Sequence, residues 1–457
     1  MKRTLSVGFA RGNITPEESV PLAGYGNNRQ RMSQGALDPL YGTCIAFSDG
    51  DNHTMILYTL DLIATPDTYA PAVREAVSRK YGIAKEAIVL AATHTHSAPD
   101  VQDKDFPPIA RYLQQLVEKL TQLAGEALAD RKPAAMVCGR SRTEGMNFVR
   151  HYILENGTCA GDNFGDFKSA PIRDHVTDAD RQIQTVRIIR ESAKDILMVN
   201  WQAHPTKAST RATEHGWTRR PYISADYVGA CRSYLEDKTG YLVAYFQGAC
   251  GNINSRSRIK EEDGTVDHVL YGQQLGDFVL TALENEQPLA MGEIKATSEM
   301  YYGQINHTED HLVEHAQKIV DIFKETNDPF AATKAGEPYG IHSPYHAGAI
   351  IRKSKETGTI DMGIGAGCIG NLGFAFLPYE VFDTNGMQIK EGAPFDMTFI
   401  LECANGAFSY IPSQKGFEHG CYEADQCRNM PGTGEKIVDL VLDMMSGLKK
   451  ETAEEVK

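Results

Sequence analysis

Residues 87–99 read AIVLAATHTHSAP and place two histidines directly after a run of six apolar residues. The apolar run predicts a buried β-strand, which the following Ser-Ala-Pro ends. Because side chains alternate between the two faces of a strand, we expect His94 and His96 to point the same way. Two imidazoles at the carboxyl end of a strand suit metal binding and acid–base chemistry. Two partly exposed histidines on a strand end would give the same pattern.

Composition indicates a globular protein with a sizeable core. Of the 457 residues, 42% are hydrophobic and 23% are charged, which is ordinary for such proteins. The net charge of −14 argues against a nucleic-acid or anionic-membrane partner, because phosphate binding needs a positive surface. The N-terminus lacks the apolar core of a signal peptide, and no apolar run approaches the ~18 residues that span a bilayer. The nine cysteines show no CxxC pairing, so we expect a cytoplasmic protein with reduced thiols and no membrane insertion.

Strand-like and helix-like segments alternate along the chain, which predicts an α/β fold with a mixed β-sheet core and flanking helices. We expect a single domain over residues 1–457. The strand-like segments are residues 44–47, 55–60, 87–92, 182–189, 196–201, 242–246, 372–377 and 399–402. The helix-like segments are residues 68–81, 109–129, 225–237, 269–284, 310–324 and 435–448.

Two glycine-containing segments resemble a loop and a phosphate-binding motif. Residues 327–343 are rich in Pro, Gly and polar residues, which predicts a long surface loop, either a lid or an insertion without function. Residues 365–370, GAGCIG, match the G-x-G-x-x-G phosphate-binding pattern. That pattern has meaning only between a strand and a helix, and residues 372–377 read as another strand. We therefore expect no dinucleotide site there.

Three more side chains follow predicted strands in the way that His94 does. His204 follows an apolar run and precedes Pro205, Glu380 follows residues 374–377, and Tyr410 comes after the run that ends near Glu402. If these strands share one sheet edge, the four side chains converge, as ligands do in open α/β sheets. Taken alone, His204 could be a structural histidine, and Glu380 a carboxylate at a helix N-terminus.

Taken in order, these segments resemble the neutral/alkaline, non-lysosomal ceramidase family, whose catalytic domain is a zinc amidase. The resemblance extends from about Val7 to the C-terminal helix. Its motifs are GFARGNITP at 8–16, LAGYG at 22–26, THTHS at 93–97, HPT at 204–206, QGACGN at 247–252, PYE at 378–380, residues 405–410, and YE at 422–423. The chain stops short of the family's C-terminal immunoglobulin-like domain, so we expect that domain to be absent.

The resemblance implies a zinc site and the residues around it. Zn²⁺ would be held by His94, His204, Glu380 and Tyr410, which are acceptable zinc ligands, and water or substrate would complete the shell. Zinc would lower the pKa of its bound water towards ~7 and so supply a nucleophile.

The remaining family roles fall on three residues. His96 would be the acid–base group, Arg150 would bind a substrate carbonyl or carboxylate, and Tyr422 would donate to the developing oxyanion. The alternatives for Arg150 and Tyr422 are an ordinary ion pair and a core tyrosine.

One departure from the family concerns the nucleophile. Where the family has a serine essential to amide cleavage, this chain has Asn254, followed by Ser255. Asn254 can donate to an oxyanion but cannot be a nucleophile, and Ser255 can replace the serine only if the loop shifts by one residue. The missing immunoglobulin-like domain, the lack of a signal peptide and the lack of an exposed apolar segment count against ceramide as the substrate. We therefore predict a zinc-dependent hydrolase that cleaves a linear amide of a small polar substrate, such as an N-acyl amine or N-acyl sugar. A zinc esterase or deacylase, and a non-catalytic zinc-containing binding protein, are the alternatives.

Overall fold

Two packed β-sheets with helices on both outer faces form the core of the protein. The computed structural model describes residues 5–26, 28–50, 53–162, 170–213, 216–257 and 267–454. In these residues no helix combines the length and the apolar composition needed to cross a membrane. The expected α/β class, with a mixed sheet and flanking helices, is confirmed, and the second sheet is an addition to it.

The first sheet has nine strands in a mixed arrangement. Its spatial order is Leu242–Gln247, Ile196–Trp201, Gln182–Arg190, Lys132–Arg142, Ser6–Asn13, Tyr41–Ser48, Thr54–Leu60 and Ile88–Ala92, with Gln287–Leu289 also paired to Lys132–Arg142. The pair at each end of this order is parallel and the other pairs are antiparallel. Several strands read as continuous apolar runs because both faces are covered.

The second sheet has four strands, ordered Ile294–Gln304, Thr359–Ile369, Leu372–Phe376 and Met397–Leu401. Shorter paired strands are Tyr379–Val381 with Phe408–Ile411, Phe148–Val149 with Ile253–Asn254, Thr210–Thr213 with Gly216–Arg219, and His151–Leu154 with Cys159–Gly161 and Ile172–His175. The helices are Ala70–Tyr81, Pro107–Ala129, Asp226–Thr239, His268–Leu283, Val313–Thr326, Pro329–Gly336, Pro344–Lys353, Asp383–Gly392, Gln414–His419, Tyr422–Gln426 and Thr433–Glu454.

Alternation of side chains along the strands connects the layers. In the strand Thr54–Leu60, Tyr58 packs with the helices Ala70–Tyr81 and Pro107–Ala129, whereas Leu57 packs with Phe374 of the second sheet. Each strand therefore contributes to two hydrophobic clusters at once, as its period of two requires.

The segment 327–343 is not the loop that its composition predicts. It contains the helix Pro329–Gly336, with Asp328 as N-cap, and a 3₁₀ turn, Glu337–Tyr339. The proline and glycines that resemble loop residues instead begin and end these turns, since proline is favoured at the first helical position. The segment belongs to a group of helices with its own small core, which includes Ile319, Ala332 and Ile350.

The G-x-G-x-x-G segment lies in a hairpin. Gly365 to Ile369 end the strand Thr359–Ile369, and Gly370, with φ of 58°, turns the chain into the antiparallel strand Leu372–Phe376. No helix follows the glycines, as the sequence indicates.

The ends of the first sheet approach each other, and this brings distant segments together. The hydroxyl of Thr59 donates to the carbonyl of Tyr245, which lies in the first strand of the spatial order. On the same side, the loop after Met397–Leu401 is bonded to the strand Ile88–Ala92, because the backbone of Leu90 exchanges hydrogen bonds with Asn405. The strand ends that carry the candidate ligands therefore belong to two sheets rather than to one shared edge.

Candidate metal centre

The THTHS segment is a loop, and its first histidine has a left-handed backbone. The strand ends at Ala92, and His94 has φ of 67°. The alternation of a strand therefore does not align the two histidines, contrary to the expectation from the sequence. Their rings nevertheless lie with centroids 5.1 Å apart. The loop is held by backbone bonds from Thr93 to Leu60 and from His94 to Leu62.

Both His94 and His204 are oriented by backbone carbonyls. Nδ1 of His94 lies 2.7 Å from the carbonyl oxygen of Ile63, and Nδ1 of His204 lies 2.8 Å from that of Cys250. A carbonyl only accepts, so both rings carry a proton on Nδ1, and each ring in its neutral form presents an Nε2 lone pair. These two Nε2 atoms lie 3.4 and 3.2 Å from Oε2 of Glu380. A backbone carbonyl on the far nitrogen is the usual support of a metal-binding imidazole.

His96 is the third histidine of the group. Its ring centroid is 5.4 Å from that of His204, and the ring atoms of His94, His96 and His204 that can bind a metal lie within 4.8 Å of one another. Gly24 packs against the Nδ1 edge of His96, because a Cβ at that position would lie 2.4 Å from Nδ1. Arg31 donates to the carbonyl of His96 at 2.6 Å and so fixes its backbone.

Five polar atoms of this group are buried without a hydrogen-bond partner in the described part of the chain. They are Nε2 of His94, Nδ1 and Nε2 of His96, Nε2 of His204 and Oε2 of Glu380. Buried polar atoms without partners are uncommon, and each carries a desolvation cost. Imidazole nitrogens and a carboxylate oxygen are a suitable donor set for a zinc-like cation, so the residues fit a metal ion.

Burial and mutual charge set the protonation of these groups. Burial lowers the pKa of His204 to about 4, and burial together with the neighbouring histidines lowers the pKa of His96 well below its usual value. Burial alone would raise the pKa of Glu380, but the adjacent His94 and His204 hold it well below 4.5. Burial would lower the pKa of His94, and the negative charge of Glu380 raises it instead. The ionised carboxylate and the neutral His96 and His204 are in the forms that bind a cation.

Tyr410 is placed beside Glu380 by strand pairing. The two residues are partners in the parallel pair Tyr379–Val381 and Phe408–Ile411. The guanidinium of Arg150 lies 5.5 Å from the Tyr410 ring centre. Arg150 also donates from Nε to Glu423 at 2.5 Å and from Nη2 to the carbonyl of Gly251 at 2.8 Å. Arg150 is therefore buried beside the cluster, with two of its nitrogens bound to protein atoms.

Tyr422 lies next to Tyr410 at the start of the short helix Tyr422–Gln426, with the two ring centroids 5.8 Å apart. Burial, and then the charge of Glu380, raise the pKa of Tyr422 to about 12. Its hydroxyl therefore stays protonated at neutral pH and can donate a hydrogen bond.

Asn254 lies next to the cluster in the backbone, but its amide is engaged elsewhere. Its backbone forms a parallel bridge with His204, while its side-chain nitrogen donates to Asp162 at 2.8 Å. The hydroxyl of the neighbouring Ser255 is buried and has no hydrogen-bond partner among the described residues.

A cavity of about 380 Å³ reaches the cluster. His94 and Glu380 are the candidate site residues among its described lining residues. Cys403 also contributes to the wall, together with the polar residues Gln102, Arg352, Ser409, Gln426 and Arg428. A larger cavity of about 790 Å³ is lined by residues 82–84, which precede the strand Ile88–Ala92. It therefore lies at the opposite end of that strand from the histidines, and none of the candidate site residues lines it.

Sequence reasoning assigned no role to several residues that build this centre. Glu423 is fully buried and accepts bonds from Arg150 and His151. Burial would raise its pKa, but the charge of Arg150 and the bond to His151 lower it to about 2. Gly24 and Arg31 fix His96 and were likewise not singled out. The available signal for Glu423 was its place in the YE motif of the resemblance, directly after Tyr422.

The protein is thus a two-sheet α/β protein with a candidate metal centre at its buried histidine–carboxylate cluster. Its fold is that of neutral ceramidase. The chain is similar to the crystal structure of neutral ceramidase from Pseudomonas aeruginosa, with a TM-score of 0.72 and 17% identity over 99% of this chain and 75% of that one. It is also similar to a structure described as ceramidase complexed with C2, with a TM-score of 0.71, 16% identity, and 98% and 76% of the two chains covered. No protein-family model and no curated protein sequence matched the chain. The fold expected from the resemblance is confirmed.

Proposed function

We propose that this protein is a zinc-dependent hydrolase that cleaves a linear amide bond in a small polar substrate. The observation that carries the proposal is the set of buried ligand atoms on His94, His204 and Glu380. The two Nε2 atoms lie 3.4 and 3.2 Å from Oε2 of Glu380, and none of the three atoms forms a hydrogen bond to any described residue. The fold shared with structures named as ceramidases supports an amide as the bond that is cleaved. The cavity of about 380 Å³ is near the small end of ligand sites and has many polar groups in its wall, which favours a small polar molecule over a lipid.

His94, His204, Glu380 and Tyr410 would hold the zinc ion in this proposal. When bound, zinc supplies Lewis-acid activation of water and of the scissile carbonyl. Carbonyls behind His94 and His204 keep the Nε2 lone pairs directed at the ion. Strand pairing keeps Tyr410 beside Glu380.

His96 has the acid–base role in this proposal. Gly24 covers its Nδ1 edge, so Nε2 is the nitrogen that accepts a proton from water and returns it to the leaving amine. The ring has no hydrogen-bond partner among the described residues that would compete for this proton. The bond from Arg31 to the backbone of His96 holds the ring in place.

Arg150 and Tyr422 would stabilise the negative charge that develops on the carbonyl oxygen. The Tyr422 hydroxyl donates directly, and Arg150 contributes a permanent positive charge from its position beside the Tyr410 ring. Because Glu423 and the Gly251 carbonyl occupy two nitrogens of Arg150, this residue also positions the segments that carry the tyrosines. Asn254 would support the loop of His204 through its bond to Asp162.

Metal analysis combined with a substrate panel tests the proposal. Purified protein should contain about one equivalent of zinc and hydrolyse N-acyl substrates, and chelation should abolish this activity until zinc is restored. The same panel with O-acyl substrates separates an amidase from an esterase. His94→Ala should lose both metal and activity, while the control His307→Ala, on the surface, should lose neither. Protein with well under one equivalent of metal, or an active His94→Ala variant, would contradict the proposal.

A further inference from the structure

The cavity beside the cluster has a positively charged side. His94 and Glu380 line it where it meets the cluster, and Arg352 and Arg428 line it elsewhere. Glu380 is the one carboxylate among the lining residues, and it belongs to the metal-type group. The other polar lining residues are the uncharged Gln102, Ser409, Gln426 and Tyr379. The cavity is thus locally cationic in a protein whose net charge is −14.

Arg352 is held at the cavity by uncharged partners. It lies in the last turn of the helix Pro344–Lys353, and its Nη2 lies 3.4 Å from Oε1 of Gln426. Gln426 in turn donates from Nε2 to the carbonyl of Tyr345 at 3.1 Å, which fixes the orientation of its amide. Within the described ranges, no carboxylate forms an ion pair with Arg352.

The neighbouring Lys353 shows what a purely structural cation looks like on the same helix. It is 1% exposed, and its Nζ lies 3.0 Å from a carboxylate oxygen of Glu309. A cation in the last turn of a helix interacts favourably with the helix dipole, and this accounts for both residues equally. The helix dipole does not explain why the exposed guanidinium of Arg352 lies in the cavity wall without an acidic partner among the described residues.

Arg428 is a second arginine that lines the cavity. Its Nε donates to Glu356 at 2.8 Å, and the side chain remains 36% exposed. The ion pair neutralises part of its charge, so Arg352 is the stronger anion-binding group of the two. Two guanidinium groups in one small cavity suit a carboxylate, which a guanidinium can bind through two parallel hydrogen bonds.

We propose that Arg352, assisted by Arg428, binds a carboxylate of the substrate, so that the substrate class is amides that carry a carboxylate, such as N-acyl amino acids. This proposal rests on the proposed function, because it places the scissile amide at the His94–Glu380 end of the cavity and the carboxylate at the arginine end. The other described lining residues are small or uncharged, including Ala64, Ala407 and Ser409.

A matched pair of substrates tests the proposal. An N-acyl amino acid and its carboxamide have the same shape but differ by one negative charge. The wild-type enzyme should favour the carboxylate in kcat/KM by about 10- to 100-fold, the range expected for hydrogen bonds to a charged group. Arg352→Gln should remove most of this preference by lowering kcat/KM for the carboxylate alone. Arg352→Glu should reverse it. The control Arg79→Gln, at an exposed arginine that does not line the cavity, should keep the wild-type ratio.

The outcomes separate this inference from the proposed function. If both substrates are hydrolysed equally by the wild-type enzyme, or if Arg352→Gln keeps the preference, the carboxylate site is wrong while the amidase proposal stands. If no amide is hydrolysed, the proposed function fails. In that case calorimetric titration with the N-acyl amino acid decides the inference separately. Binding weakened about tenfold or more by Arg352→Gln would support the site, and absent or unchanged binding would overturn it.

Discussion

Two histidine-rich groups in this protein have similar composition but opposite states of hydrogen bonding. The central cluster consists of His94, His96, His204 and Glu380. The helical cluster consists of His342, His346, Asp425, Glu309 and Lys353, and lies where the helices Val313–Thr326 and Pro344–Lys353 meet the helix Tyr422–Gln426. Both contain three residues whose ligand atoms lie within 4.8 Å of one another.

The helical cluster is internally satisfied. The backbone of His342 donates to Nδ1 of His346 at 3.1 Å, so Nε2 of His346 carries the proton and donates to Glu309 at 2.8 Å. Lys353 brings a buried positive charge to Glu309 as well. A cation already occupies the electrostatic role that a metal would have there.

The central cluster is the reverse case. The Nδ1 protons of His94 and His204 point away from the centre to carbonyls. Their Nε2 atoms point inward and lie 3.4 and 3.2 Å from Oε2 of Glu380, without a hydrogen bond to any described residue. Grouping of histidines and acids is therefore a weak indicator of a metal site. A metal site is better indicated by imidazole protons that point away from the centre and by buried ligand atoms that form no hydrogen bond.

Exchanging one carboxylate in each cluster gives the largest expected contrast. Glu380→Gln removes the charge that faces two Nε2 atoms. We expect loss of bound zinc and a fall in kcat/KM of about three orders of magnitude, or about 4 kcal/mol in transition-state stabilisation. Glu309→Gln should leave metal content and kcat/KM within about twofold of the wild-type values. The hydrogen bonds of Glu309 to described residues lie within the helical cluster. Equal metal content in the two variants would mean that a metal site does not distinguish the central cluster from the helical cluster.

Two glycines in the same loop test how His96 is held. A Cβ at Gly24 would lie 2.4 Å from Nδ1 of His96, whereas a Cβ at Gly26 would have no atom of a described, non-adjacent residue within 4 Å. Both have positive φ, of 106° and 63°, so alanine introduces backbone strain at either site. Gly24→Ala should lower kcat/KM by about 10- to 100-fold through displacement of His96.

The control Gly26→Ala should reduce the thermal unfolding midpoint but keep kcat/KM within about threefold. Zinc content should stay near one equivalent in both variants, because neither change touches a proposed ligand. Equal activities of the two variants would mean that the position of His96 does not limit turnover.

Local pattern predicted the apolar elements well. The strand Ile196–Trp201 has the predicted bounds, and the helix Pro107–Ala129 begins two residues before its predicted start. The strand Thr359–Ile369 was missed because its glycines resemble a turn, and Lys132–Arg142 because it is partly exposed. In both strands, pairing with neighbours outweighs the local propensity.

The site depends on contacts that local pattern does not contain. His94 follows the last strand in the spatial order of the first sheet, His204 follows the second strand of that order, and Glu380 follows a strand of the second sheet. Their approach depends on the curvature of the first sheet and on the packing of the second, so the ordered motifs of the ceramidase resemblance were needed to connect them. Glu423 contacts Arg150, which is 273 positions away in the sequence, and nothing local indicates that pairing.

The smallest expected effect concerns the pH dependence of the helical cluster. Burial would raise the pKa of Glu309, but the hydrogen bond from His346 and the charge of Lys353 lower it from 4.5 to about 2. A carboxyl whose pKa is lower in the folded state contributes stability above its unfolded pKa, and this contribution disappears as the pH falls from about 4.5 to about 2. After solvent screening we expect about 2 kcal/mol near pH 6.

Amide hydrogen exchange in the helix Pro344–Lys353 measures this contribution locally. Near pH 6, Glu309→Gln should exchange faster than the wild type, by the factor of about 30 that 2 kcal/mol gives. The difference should shrink as the pH falls from about 4.5 to about 2, because the carboxyl of the opened state is then protonated first and that of the folded state only near its pKa of about 2. The exposed control Glu325→Gln should match the wild type within about 0.5 kcal/mol throughout. A difference that stays constant with pH would mean that packing, and not the charge of Glu309, stabilises the helical cluster. The hydrogen bonding that distinguishes the helical cluster from the central cluster would then not be the source of its stability.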